Sequence, residues 1–330
     1  MIIRKISIKN FRCHEQYILE CKKNTSLIVG ENGSGKTSVL EAIYLAMRGK
    51  SFRAVDAEIL RRDADFYRVE LDYENGEKVL ITYDNTNKKF VVGDKKTARL
   101  PKKYRYPVVL FLPDDLHLVH ASPTSRREYF DRILSQIDDN YSSVLSRYNK
   151  ALKQRNELLK NEYVTDNMVF SWNILLAKYG CEIRKKRIEL VERINERLTE
   201  VYRTIAKNND EVKIDGVTEL LDESEYLAIL ERDFQKDKIL GHTSFGVHKD
   251  NYEFVFNNKK ADGSASRGEV RSVILALKFI EAEMILERTG KKPVVLLDDV
   301  FSELDDVRQK CLVQNFKDNQ VIITSVKGVE

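Results

Sequence analysis

At 330 residues, 42% hydrophobic and 33% charged, the chain can hold about two domains with a sizeable core and a strongly polar surface. No apolar run is long enough to span a bilayer, and Met1-Ile2-Ile3-Arg4-Lys5 leads into strand-like sequence without a signal-peptide core, so a cytoplasmic protein is expected. A net charge of +4 permits a nucleic-acid partner without demanding one, and four scattered cysteines (Cys13, Cys21, Cys181, Cys311) suggest neither a disulfide framework nor a zinc site.

Residues 2–9 alternate apolar and polar and predict a strand, ended by Asn10-Phe11-Arg12. A second strand is expected over 17–21. Leu27-Ile28-Val29 then reads as a short buried strand, followed by Gly30-Glu31-Asn32-Gly33-Ser34-Gly35-Lys36-Thr37-Ser38, which fills the pattern G-x-x-x-x-G-K-T. Val39, Leu40, Ile43 and Tyr44 recur at helical spacing beyond it. Strand, glycine-rich loop and helix form the context that a phosphate-binding loop requires. Phosphates must approach bare backbone N–H groups, and glycine allows both the closeness and the unusual backbone angles. The helix N-terminus adds a favourable dipole. Lys36 is placed to reach the β- and γ-phosphates of a nucleotide, and the Thr37 hydroxyl to ligate Mg²⁺. Gly49-Lys50-Ser51-Phe52-Arg53 stops this helix.

From 67 to 92 the pattern is an antiparallel meander, with turns at Glu74-Asn75-Gly76-Glu77 and Asp84-Asn85-Thr86-Asn87. Residues 108–112 form another buried strand, closed by Pro113-Asp114-Asp115. From 125 to about 207 Gly and Pro almost vanish, and apolar residues recur every three or four positions. No heptad repeat persists, so separate amphipathic helices are expected rather than one coiled coil. After a mixed stretch come a strand at 252–256, a turn at 257–260, a helix over 266–287, a buried strand at 294–297 and a last core strand at 321–324. There is no internal repeat.

Asp298 and Asp299 end the strand at 294–297 and form a Walker B element: a fully buried strand delivers its acids to the edge of a parallel sheet, where ligands bind. Asp298 is the candidate Mg²⁺ ligand, and Asp299 the candidate group that orients or deprotonates the attacking water. Lysine and acids lie far apart in sequence, so a large insertion separates them. Ser266-Arg267-Gly268-Glu269 has the S-x-G form of an ABC signature, and Ser302-Glu303-Leu304-Asp305 the form of a D-loop. Each is weak alone; the order P-loop, signature, Walker B, D-loop is what carries the ABC-type reading. In that reading Ser266, Gly268, Glu269, Ser302 and Asp305 close on the nucleotide of a second subunit.

Several further blocks make the chain similar to the RecF family, bacterial recombination-repair ATPases related to SMC proteins. They are Asn10-Phe11-Arg12, Leu40-Glu41-Ala42-Ile43-Tyr44, Gly49-Lys50-Ser51-Phe52-Arg53, Pro113-Asp114-Asp115-Leu116, Ser122-Pro123-Thr124-Ser125-Arg126-Arg127, and Tyr148-Asn149-Lys150-Ala151-Leu152-Lys153-Gln154-Arg155-Asn156. The last two are the run from Leu297 to Asp305 and Gln320-Val321-Ile322-Ile323-Thr324. The similarity spans nearly the whole chain. Three features depart from the family pattern: Glu269 where Gln is usual, Gly246-Val247-His248-Lys249-Asp250-Asn251 where G-P-H-R-D-D is usual, and an end at Glu330 where relatives usually run on.

The resemblance implies an α/β fold, an ABC-type (SMC-like) P-loop ATPase head with an inserted helical lobe. The head would comprise 1–124 with 240–330, and the lobe 125–239. It implies ATP and Mg²⁺, slow hydrolysis, an ATP-dependent homodimer on duplex DNA near single-strand gaps, cooperation with RecO and RecR in loading RecA, and a phosphate contact from Arg12. A transporter nucleotide-binding subunit, an SMC-type architectural protein and a P-loop kinase are the competing readings. The family-specific block at 153–156 speaks against the first, the short helical segment against the second, and Ser266 has no role in the third. The basic runs Arg184-Lys185-Lys186-Arg187 and Lys102-Lys103-Tyr104-Arg105 are either DNA contacts or solvated faces. Trp172 reads as core, and His248 as serving a turn.

Overall fold

Alternation in the first residues builds an antiparallel sheet. In β1 (Ile3–Phe11), Ile3, Ile6, Ile8 and Phe11 are buried. It is followed by β2 (His14–Glu20), β3 (Thr25–Val29), α1 (Lys36–Arg48) and the single turn α2 (Asp56–Ile59). The meander is β4 (Tyr67–Tyr73), β5 (Lys78–Tyr83), β6 (Lys88–Val92) and β7 (Lys95–Thr97), and β8 (Val108–Phe111) comes next. Then follow α3 (Pro123–Ile137), α4 (Tyr141–Leu159), α5 (Asp166–Ala206), β9 (Val212–Gly216), α6 (Glu223–Arg232) and α7 (Phe234–Leu240). The last elements are β10 (Tyr252–Phe256), β11 (Lys259–Lys260), α8 (Arg267–Thr289), β12 (Val294–Asp298), α9 (Asp306–Asn315) and β13 (Val321–Ser325). The structure, a computed structural model, describes residues 2–261 and 265–326.

The chain divides into two units, Met1–Leu116 with Lys278–Glu330, and His117–Leu277. In the first, one sheet runs β2-β1-β4-β5-β6-β7 and is antiparallel, and a second runs β3-β13-β12-β8 and is parallel. Helix α1 packs against β1, β4 and β5 of one sheet and β8, β12 and β13 of the other. That is why Val39 to Met47 are buried all round and not as a stripe. β12 lies inside the parallel sheet, and Val294, Val295, Leu296 and Leu297 are at most 1% exposed. Each such side chain contributes about 1.5–3 kcal/mol by leaving water. β3 corrects the expectation of a buried strand. It is an edge strand, with Ile28 buried but Val29 half exposed, so its apolar run covers only one neighbour.

The second unit holds α3 to α7 and the sheet β11-β10-β9, so it is not purely helical. It takes in residues 117–124 and 240–277 as well as 125–239, because β9 pairs with β10 and because Arg126 and Arg127 bond Asn251 and the Asp250 carbonyl. The helical stretch contains one continuous 41-residue helix, α5. Ser122 caps α3, accepting from the Ser125 N–H at 3.2 Å. Trp172 is only half-buried, on the flank of α5. Among the described residues, no helix is long and apolar enough to cross a membrane.

Candidate nucleotide-binding site

Strand register places the two halves of the site at one sheet edge. Ile28 and Asp298 both pair with Thr324 of β13, so the loop after β3 and the acids after β12 emerge at the same carboxyl end. The loop turns through left-handed backbone at Gly33 (φ 84°) and Gly35 (φ 91°), the residue before α1. At Gly35 a Cβ would also collide with Cys13 Sγ and the His14 ring. Only glycine fits there, the cradle a phosphate-binding backbone requires.

Lys36 is buried, and its Nζ donates to the Gly30 carbonyl at 2.9 Å and the Glu31 carbonyl at 3.2 Å, with Asp299 Oδ2 at 3.6 Å. Thr37 Oγ1 lies 2.8 Å from both carboxylate oxygens of Asp298. Thr324 Oγ1 donates to Asp298 at 2.9 Å and accepts from the Asp299 N–H at 2.9 Å, so one hydroxyl fixes both acids. Burial raises the pKa of Asp298; hydrogen bonds from Thr37 and Thr324 oppose this, and the neighbouring Asp299 adds to it. Asp299 has left-handed backbone (φ 49°), and its buried Oδ1 has no hydrogen-bond partner among the described residues. A hydroxyl and two carboxylates, one with an unsatisfied oxygen, are the hard oxygen donors that Mg²⁺ prefers. The residues present therefore fit a nucleotide with its magnesium.

Arg12, Asn32, Gly33, Gly35, Lys36, Thr37, Ser38 and Asp299 line one cavity of about 260 Å³, together with Cys13 and Arg53. Gly30, Glu31 and Ser34 shape the loop without lining that cavity, and Asp298 stands behind Thr37. Sequence reasoning missed Arg53, the supporting Glu41 and Thr324. No motif spacing ties any of them to the P-loop.

Ser266, Gly268 and Glu269 lie in the other unit, at the start of α8. Ser266 Oγ accepts from the Glu269 N–H at 3.3 Å, while Glu269 Oε2 accepts from the Ser266 N–H at 2.6 Å. This is a capping box, which Glu completes as well as Gln does, so the departure at 269 preserves the helix start. Ser302 Oγ donates to the Asp299 carbonyl at 2.8 Å, and Asp305 caps α9 through the Arg308 N–H at 3.0 Å.

The basic run at 184–187 must be corrected. Arg184 is 5% exposed and pairs with Asp250 at 2.8 Å, and Arg187 is 2% exposed and pairs with Asp131 at 2.9 Å. Both are spent inside the unit and cannot reach DNA phosphates. Lys186 is half-buried on Asp138, whereas Lys185 is exposed. Lys102 and Lys103 are exposed, and Arg105 is half-buried with its Nε on the Leu100 carbonyl at 3.2 Å.

This fold and site define an α/β P-loop ATPase head of the ABC and SMC type. A family model described as an AAA ATPase domain matches residues 1–327. The "DNA replication and repair protein RecF" of Clostridium perfringens is 32% identical over 340 residues, covering 100% of this chain and 94% of that protein. The protein of the same name from Bacillus cereus is 34% identical over 351 residues, with the same coverage. A solved structure of the recombination mediator protein RecF-ATP in the RecFOR pathway matches with a TM-score of 0.88 at 30% identity, covering 100% of this chain and 93% of that one. An SMC head bound to the C-winged helix domain of ScpA matches with a TM-score of 0.55 at 16% identity, covering 99% and 90%, and shares the fold alone. The chain belongs to the RecF family.

Proposed function

We propose that this chain binds ATP with Mg²⁺ in the cavity around Lys36, hydrolyses it slowly, and uses the nucleotide to gate a dimeric clamp on duplex DNA near single-strand gaps. The observation that carries the nucleotide reading is the 2.8 Å contact between Thr37 and Asp298, which joins P-loop and Walker B at one sheet edge. Gly33, Gly35 and Ser38 line the path of the phosphates. Lys36 balances their charge, and Thr37 and Asp298 hold the metal. Mg²⁺ held there would neutralise negative charge on the nucleotide's phosphates. Asp299, with one oxygen unsatisfied, orients the attacking water and accepts its proton.

The DNA and partner roles rest on family membership. The similar structure is described as RecF-ATP in the RecFOR pathway, which supports RecO and RecR as partners in loading RecA. In the dimer, Ser266 and Gly268 close on the nucleotide of a second copy. A cytoplasmic location accords with this work.

Anisotropy of fluorescent gapped duplex DNA, titrated with the Asp299→Asn protein with and without ATP and Mg²⁺, tests the reading. Tighter binding only with ATP is expected. Equal binding in both conditions would remove the nucleotide gate. A transporter-type or purely architectural role gains nothing from the family match.

A further inference from the structure

A glutamate that the nucleotide reading leaves idle stands at the centre of the cavity's positive wall. Glu41 projects from α1 and is 0% exposed. It accepts from Arg12 Nε and Nη2, both at 2.9 Å, from Arg53 Nε at 2.9 Å, and from Ser51 Oγ at 2.6 Å. Burial pushes its pKa up, but the hydrogen bonds from Arg12, Ser51 and Arg53 outweigh burial and hold it below the usual carboxylate range. A lone buried carboxylate is strongly disfavoured, so Glu41 needs a partner. One arginine would suffice. Two arginines on one carboxylate leave a net positive charge, and both line the cavity beside Lys36.

Arg12 is also held at a conformational cost. It is the first residue of the two-residue link between β1 and β2, with φ 56°, where primed hairpin turns favour glycine. Left-handed backbone is unfavourable for a residue that bears a side chain. Arg12 Nη1 is fixed further on the Glu58 carbonyl at 2.9 Å. Arg53 Nη2 lies 3.4 Å from Ser38 Oγ. Thr37 faces Asp298, and the next residue along α1 turns about 100° around the axis. The arginines therefore flank the first turn of the helix on the Ser38 side, not on the side of the Walker B acids.

We propose that Glu41 is a positioning residue that holds Arg12 and Arg53 as a paired clamp for the nucleotide's α- and β-phosphates. The proposal rests on the nucleotide reading of the cavity. The clamp grips what ATP and ADP have in common, so it governs affinity, while Asp299 governs cleavage. Guanidinium forks suit such a task because each presents parallel donors to phosphate oxygens, and lysine does not replace that geometry.

The test titrates fluorescent ATP and ADP analogues against wild type, Glu41→Gln, Arg12→Lys and Arg53→Lys, with KM and kcat for ATP measured alongside. Glu41→Gln is expected to weaken both nucleotides by about tenfold, with KM rising far more than kcat falls. A mere counter-ion role predicts the opposite sign, since removing the carboxylate adds positive charge to the wall and tightens anion binding. Unchanged or tighter binding by folded Glu41→Gln overturns the proposal, as does a fall in kcat at constant affinity. If that variant does not fold, the two lysine variants decide, since they keep charge and lose the fork. Wild-type affinity in both overturns the proposal, and weakened ATP and ADP binding in either supports it. Folded wild type that binds neither nucleotide overturns the nucleotide reading and this proposal together; normal wild-type binding with unaltered variants overturns only the clamp.

Discussion

Both units bury carboxylates against arginine, but only the first leaves its arginines exposed. In the first, Glu41 is sealed while the side chains of Arg12 and Arg53 remain 23% and 37% exposed on the cavity wall. In the second, both partners are sealed: the side chains of Arg155 and Asp237 are each 0% exposed, and the side chains of Arg184 and Asp250 are 6% and 3% exposed. Arg155 is spent on protein groups, with Asn173 at 2.6 Å, Asp237 at 2.7 Å and Thr243 at 2.8 Å. Arg187 likewise reaches the Val247 carbonyl at 2.7 Å. A buried pair of the second kind fixes one packing arrangement and adds little net stability. A pair of the first kind presents charge to a ligand. Burial of each partner, not the presence of an arginine, separates scaffold from site.

The largest effect should come from Lys36→Met. It removes the phosphate counter-charge, and ATP affinity should fall by more than about a hundredfold, while thermal unfolding without nucleotide stays cooperative. Isothermal titration checks it, and wild-type affinity would sink the assignment of the cavity. Arg155→Met marks the opposite pole. It leaves Asp237 buried without its cation, at a cost of about 3–5 kcal/mol, read as a lowered urea midpoint. A stability within error of wild type would show that the sealed pairs are not scaffold, and the comparison would break.

His248 sharpens the contrast through pH. Its Nδ1 lies 2.8 Å from the Tyr148 hydroxyl and its Nε2 3.0 Å from the Thr243 carbonyl. The carbonyl can only accept, so the proton sits on Nε2 and Tyr148 donates to Nδ1. Burial pushes the imidazole down to about 4. The folded value lies below the unfolded one of about 6.5, so the unfolded chain binds the proton first. His248 therefore has its full stabilising effect above pH about 6.5, and that effect is lost as pH falls to about 4. The loss is no more than about 3 kcal/mol, reduced by residual exposure. Urea unfolding across this range should show a steeper decline for wild type than for His248→Gln. Parallel curves would show that the imidazole is not held neutral.

The parts legible in the sequence were those whose chemistry is contiguous. The run from Gly30 to Ser38 and the pair Asp298-Asp299 each carry their own context, and the sheet register then brings them together. The Glu41 hub was not legible, because its members come from the link after β1, from α1 and from the segment after α1, and a glutamate in a helix reads as solvated. The family-specific block at 153–156 was visible as a resemblance but not as physics. Arg155 is a buried hub, and Asn156 Oδ1 accepts from the Thr243 N–H at 2.9 Å. The run at 184–187 misled for a simpler reason. Four adjacent cations look like one patch, yet on a helix residues three apart share a face. Positions 180, 183, 184, 187, 188 and 191 of α5 are buried, and that face takes Arg184 and Arg187 inward.

The smallest effect lies in that same run and gives the finest test. Lys185 is exposed one residue from Arg184. Lys185→Ala should leave stability within about 0.5 kcal/mol, as surface changes do, whereas Arg187→Ala leaves Asp131 with the Tyr141 hydroxyl but without its cation and should cost several times more. If Lys185 or the exposed pair Lys102 and Lys103 meets duplex DNA, each alanine variant should weaken binding evenly across sequences. The slope of log affinity against log salt should then flatten by about one for each phosphate left without its lysine. An unchanged slope in all three variants would take these lysines off the DNA surface and leave them as solvent-facing charge. Burial would then account for Arg184 and Arg187, and solvent exposure for Lys185.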